Sequence, residues 1–191
     1  KEEFEVKYIK RMTEEQIDIT TTEGKKDFVR NLVAYNIVLE GLWFYSGFMV
    51  ALSFRQRNLL RNFGSLIDWV VRDESLHVDY MIKLFRQFIK ENRSIWTDRF
   101  KAELYEICRQ MVILEDKFID LAFEQGGVQG LESTEVKNYI RYIADRRLLQ
   151  LGLKPNYGVK SNPLEWLDWV LNAPSLVNFF GSRSTDYTKS S

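Results

Sequence analysis

Glu74-Ser75-Leu76-His77 is the only Glu-x-x-His in the chain, and His77 is its only histidine. On a helix, residues three apart share a face, so this carboxylate and imidazole point at one spot. Such a pair suits a transition metal, which accepts both donor types. The competing reading is a chance pair on a solvated face. A second carboxylate bears on the choice. Glu40 stands among Val38, Leu39, Gly41, Leu42, Trp43 and Phe44, with no basic residue nearer in sequence than Arg30 or Arg55. A lone charge in such surroundings is costly unless it is paired or ligates a metal. Glu40 is therefore either a ligand or a partner in a hydrogen bond or ion pair across helices, for instance with Arg72. One Glu from a first helix and Glu-x-x-His from a second make half of the ligand set of a ferritin-like di-metal carboxylate bundle. Glu40, Glu74 and His77 are that half, and with no second histidine the other half must come from elsewhere.

Those residues need helices to hold them, and the composition supplies helices. Ten Gly and three Pro in 191 residues are few turn formers, against an average usage of roughly 12%. At 45% hydrophobic residues the chain has enough apolar material for a core, which excludes wholesale disorder. Phe28, Leu32, Tyr35, Leu39, Leu42, Met49 and Leu52 recur at helical spacing from Lys25 to about Asn62. Apolar residues cover most of that helix, so it is expected to be central and buried on nearly all sides. Gly64-Ser65 offers a break, with Ser65 as N-cap of a second helix running to about Asn92. Ser94 is expected to cap a third helix through Gln125, closed by Gly126-Gly127. Ser133 opens a fourth that ends near Gly152, and a short helix is expected over Pro163 to Leu171. The Thr20 to Thr22 run before Gly24 reads as an extended connector. The fold class is all-α, a bundle.

Charge and cysteine content exclude several functions. Twenty-seven basic and 27 acidic residues cancel, so no basic excess is available for nucleic acid or an acidic membrane surface. Cys108 is alone and forms no internal disulfide. The stretch from Asn31 to Phe54 contains Glu40 and polar residues at helical spacing, and is rejected as a membrane span. The expectation is a soluble cytoplasmic protein.

Longer blocks carry a resemblance. Glu40-Gly-Leu-Trp-Phe-Tyr-Ser-Gly-Phe and Arg72-Asp-Glu-Ser-Leu-His, followed by Tyr139-Ile-Arg-Tyr-Ile-Ala-Asp-Arg-Arg-Leu, Leu151-Gly-Leu, Asn162-Pro, Asn178-Phe-Phe and Thr185-Asp-Tyr, resemble the small subunit of class I ribonucleotide reductase. The resemblance runs from about Thr20 to Tyr187 and covers only the C-terminal half of that subunit. It implies a partial ferritin-like domain over residues 1–175 and a C-terminal tail over 176–191. It also implies a dinuclear metal centre, di-iron in the first instance, with manganese–iron or di-manganese as variants. The centre reacts with an oxygen-derived oxidant and passes a radical to a large subunit that reduces ribonucleotides. By position Glu40, Glu74 and His77 resemble the later three metal ligands. Asp73 resembles the aspartate that hydrogen-bonds a ligand histidine and takes part in radical transfer. Phe44, Phe48 and Val70 resemble the apolar wall beside the metals, and Tyr187 the tail tyrosine that relays the radical.

The resemblance implies three partners: a chain or segment carrying the N-terminal half, the large subunit, and a second small subunit in a dimer. The missing half is expected from a separate chain, with a fragment of a longer polypeptide or self-pairing as alternatives. A metal-free ferritin-like scaffold and a related di-metal oxidase are the competing functions.

Overall fold

A computed structural model describes residues 3, 4, 6 and 17–168, and shows helices with no strand among them. The N-terminal run is one long helical rod in three registers: α1 (Thr22–Asn31), a π-helical segment (Leu32–Trp43) and α2 (Phe44–Gln56). Then follow α3 (Arg61–Glu91), α4 (Asp98–Phe123) and α5 (Ser133–Gln150). The π segment packs against all five of these helices, which makes it the axis of the bundle. Ten of its twelve residues are buried, including Val33, Ile37 and Leu42 with no exposed surface. The expectation of a central helix holds, but its uniform α register does not. About three turns of apolar side chains on nearly every face leave packing, rather than local preference, to set the winding.

By length and composition, Thr22–Gln56 is also apolar enough to cross a membrane. Here 67% of its most apolar window is buried against the rest of the protein, the pattern of a core helix.

Helix boundaries differ from the sequence reading where side chains found other partners. Thr21 caps α1, its Oγ1 accepting from the Gly24 amide at 3.0 Å, so the threonine run starts the helix rather than forming an extended connector. Helix α3 begins at Arg61 and runs straight through Gly64-Ser65. Ser65 is no cap: its hydroxyl donates back to the Arg61 carbonyl. Gly64 is used for closeness, since a Cβ there would meet the Arg55 side chain at 2.6 Å. The reversal before α3 is made instead by Asn58 and Leu60, both at positive φ. Thr97, and not Ser94, caps α4 by accepting from Phe100 N at 3.2 Å; Ser94 lies in a 3₁₀ turn, Arg93–Ile95. Helix α5 opens at Ser133 as expected, through a capping box between Glu132 and Glu135. Of the short helix expected after Pro163, the described residues show a 3₁₀ turn, Glu165–Leu167. The tail over 176–191, with Asn178-Phe-Phe and Tyr187, lies outside the described residues.

Two buried groups tie the C-terminal segment down. Asp145, on α5, accepts the backbone amides of Asn156, Tyr157 and Val159 at 2.7, 2.9 and 3.1 Å. Cys108 packs beside it on α4, and burial pushes its thiol up to about 12, which removes thiolate chemistry at neutral pH. Asp145→Asn keeps the shape but presents an NH₂ where the Val159 amide needs an acceptor. We expect a loss of about 1–3 kcal/mol, read by denaturant unfolding, with hydrogen exchange rising over residues 156–159.

Candidate metal centre

Glu40 projects from the π segment and Glu74 and His77 from α3. One donor atom from each lies within 4.8 Å of the others, the only such cluster among the described residues. The i, i+3 spacing does what the sequence predicts, because α3 is regular α-helix across Glu74 and His77. Glu40 comes to the same spot because the π segment packs along α3. Its side chain is 12% exposed, that of His77 39%.

The electrostatics are those of a half-filled site. Burial raises the Glu40 carboxyl above the usual carboxylate range; His77 pulls it back down and the neighbouring Glu74 pushes it further up. Nδ1 of His77 stands 2.8 Å from Glu40 Oε2, a charge-pair distance, but without the alignment of a hydrogen bond. Oε2 of Glu40 and Oε2 of Glu74 are both buried with no hydrogen-bond partner among the described residues. The charge partner that the structure gives Glu40 is His77, where the sequence had offered Arg72. Two orphaned carboxylate oxygens beside an imidazole are hard donors and a borderline one around a single point, and they fit a first-row transition metal.

The remaining expected residues fall less simply. Phe44 and Phe48 lie side by side on α2 with ring centroids 6.1 Å apart, but Phe44 is 41% exposed and Val70 44%. This chain alone therefore does not close an apolar wall. The π register also shifts Phe44 away from the simple i, i+4 relation to Glu40. Asp73 is exposed, and among the described residues it makes no hydrogen bond to His77 and no ion pair with Arg72. Tyr187 lies outside the described residues.

A polar chain behind the cluster escaped the sequence reading. Arg147 of α5, 5% exposed, donates from Nε to the Gly41 carbonyl at 3.0 Å and from Nη2 to the Tyr45 hydroxyl at 3.2 Å. That hydroxyl lies 3.2 Å from Ser75 Oγ, which donates to the Val71 carbonyl at 2.7 Å. The signal was available: Arg147 shares the apolar face of Ile140, Ile143, Ala144 and Leu148, where a cation is out of place.

Comparison with known proteins agrees with this arrangement. The family model for "Ribonucleotide reductase, small chain" matches residues 1–163. A ribonucleoside-diphosphate reductase small subunit of Invertebrate iridescent virus 3 is 40% identical over 161 residues, covering 84% of this chain and 43% of its own. The ribonucleoside-diphosphate reductase subunit beta of Chlamydia pneumoniae is 33% identical, covering 98% of this chain and 54% of its own. A crystal structure assigned to class I ribonucleotide reductase from Bacillus halodurans superposes with a TM-score of 0.76 at 25% identity, over 86% of this chain and 50% of that one. The helices thus form a ferritin-like bundle of that type, and the chain spans about half the length of the curated relatives it matches.

The raised Glu40 carboxyl has a definite pH signature in the metal-free protein. A carboxyl raised by folding contributes stability below its unfolded value and loses it as pH rises through the folded value. Ionised Glu40 therefore weakens the metal-free fold at neutral pH. Glu40→Gln is expected to raise the metal-free melting temperature at neutral pH and to lose that advantage near pH 4, checked by thermal melts across that range.

Proposed function

Because the chain belongs to the ribonucleotide reductase small-chain family, we propose that it is the C-terminal, ligand-bearing half of a radical-generating small subunit. The observation that supports this most directly is the gathering of Glu40, Glu74 and His77, with two buried carboxylate oxygens that no group among the described residues satisfies. In this reading the three residues hold part of a dinuclear centre. Di-iron is the first choice, and manganese–iron or di-manganese suit the same donors. When bound, the centre supplies the oxidising equivalent, drawn from an oxygen-derived oxidant, that the large subunit uses to reduce ribonucleotides.

The chain's own residues do the rest. Glu40 and Glu74 provide negative charge that offsets bound cations, and carboxylates can shift between terminal and bridging modes. His77 adds a neutral donor. Phe44, Phe48 and Val70 exclude water once a covering surface closes over them. Asp73, left exposed here, is placed to meet a histidine of that covering half, and Tyr187 relays the radical towards the large subunit.

The exposed surface supports a covering half. Phe63, Leu66 and Val70 on α3, with Leu59 and Leu60 just before it, are each at least 44% exposed on the way to the ligand pair. Exposed apolar residues gathered in this way mark a contact surface. The N-terminal half of the small subunit, on a separate chain or on a longer form of this one, fits it: it supplies the remaining ligands and covers the face. Two such assemblies then form the small-subunit dimer.

Native mass spectrometry with metal analysis on material purified from its source tests the reading. We expect a second Glu-x-x-His segment in the assembly and about two metals per site. Glu74→Ala should leave at least one position empty. A lone or self-paired chain with no metal would leave a scaffold in place of a radical generator.

A further inference from the structure

Arg147 is a buried cation that forms no ion pair among the described residues, an arrangement that is costly unless each N–H is used. Each of its three nitrogens donates one hydrogen bond. Nη1 reaches Gln150 Oε1 at 2.8 Å, within its own helix. Nε and Nη2 leave α5 and bind two other elements: the Gly41 carbonyl in the π segment and the Tyr45 hydroxyl on α2. The guanidinium also lies over the Tyr45 ring, 5.4 Å from its centroid. With its hydroxyl accepting from Arg147, Tyr45 is left to donate to Ser75 Oγ, which in turn donates to Val71 O. Proton order along the chain is thus set from one end.

Both ends of this chain touch metal-ligand positions. Gly41 follows Glu40 directly, and Ser75 follows Glu74. Gly41 has no side chain for the same reason: a Cβ there would lie 2.7 Å from Arg147 Nε and 3.3 Å from Val78 Cγ1. Gly41 lies two residues before the end of the π segment at Trp43, and Arg147 Nε gives its carbonyl a side-chain donor there.

We propose that Arg147 is a positioning residue for the metal centre, clamping the π segment to α3 through Gly41 and through Tyr45–Ser75, so that Glu40 is held at its distance from Glu74 and His77. The inference rests on the metal-binding reading of the cluster. It assigns no contact between Arg147 and metal. Its action is through the backbone on either side.

Lysine keeps the charge but has no planar fork, so it cannot serve the carbonyl and the hydroxyl together. The test is a Co(II) titration of the complete small-subunit assembly, followed by its visible absorption spectrum. Arg147→Lys should weaken Co(II) binding roughly 10–100-fold, the usual effect of losing a partner outside the ligand set, and shift the absorption bands. Tyr45→Phe, which removes one hydroxyl, should do the same to a smaller degree, and combining the two should not add. Ile119→Val, a core truncation on α4, should lower the melting temperature while leaving affinity and spectrum alone. If Arg147→Lys does not assemble, Tyr45→Phe alone decides the matter. Wild-type affinity and spectrum in the Tyr45 and Arg147 variants overturn the clamp. A wild-type assembly that takes up no Co(II) overturns the metal reading, and the clamp with it.

Discussion

A carboxylate on the most enclosed helix of the bundle constrains everything around it. Glu40 cannot retreat to solvent, because the π segment that carries it touches every other helix. Burial alone makes its ionised form unfavourable, and Glu74 a few ångströms away makes it worse. His77 can return at most one positive charge against two negative ones. Water, which would satisfy such a pair on an open surface, has little access to the Glu40 side chain, which is 12% exposed. Protonation of Glu40 relieves this imbalance, and in the proposed reading a bound cation relieves it at neutral pH.

Most of this was legible wherever local chemistry and tertiary packing agree. Glu74 and His77 meet because a regular helix places i and i+3 together, and nothing in the fold disturbs that stretch. The C-terminus of α4 ends at Gly126 in a positive-φ conformation, as a glycine pair implies. The misreadings arise where two elements share one decision. Ser65 has the chemistry of a cap, but the chain had already turned at Asn58 and Leu60, both non-glycine residues at positive φ. Gly64 resembles a breaker, yet its role is to let Arg55 approach. The π winding of Leu32–Trp43 leaves no trace in residue periodicity, since a segment apolar on all faces has no stripe to rotate. Arg147 belonged to a recognised block, but its partners lie about a hundred residues away in sequence, at Gly41 and Tyr45.

The exposed face of α3 and the cluster share one cause. In the proposed reading the ligands are completed by another surface, and the same side of α3 that carries His77 at 39% exposure also carries uncovered Phe63, Leu66 and Val70. Apolar cover and ligand completion would then come with one docking event, so that binding of the covering half and exclusion of water from the site would be a single step.

The apolar rod Thr22–Gln56 has a consequence for biosynthesis. During translation it leaves the ribosome before any of α3, α4 or α5 exists to wrap it. For that interval a long helix is exposed whose most apolar 18-residue window meets the length and hydropathy requirements of a bilayer segment. Glu40 near its middle, the charges between Glu23 and Arg30, and Arg55 make insertion unfavourable. The residue proposed to bind metal in the finished protein therefore also helps keep the nascent chain out of the membrane.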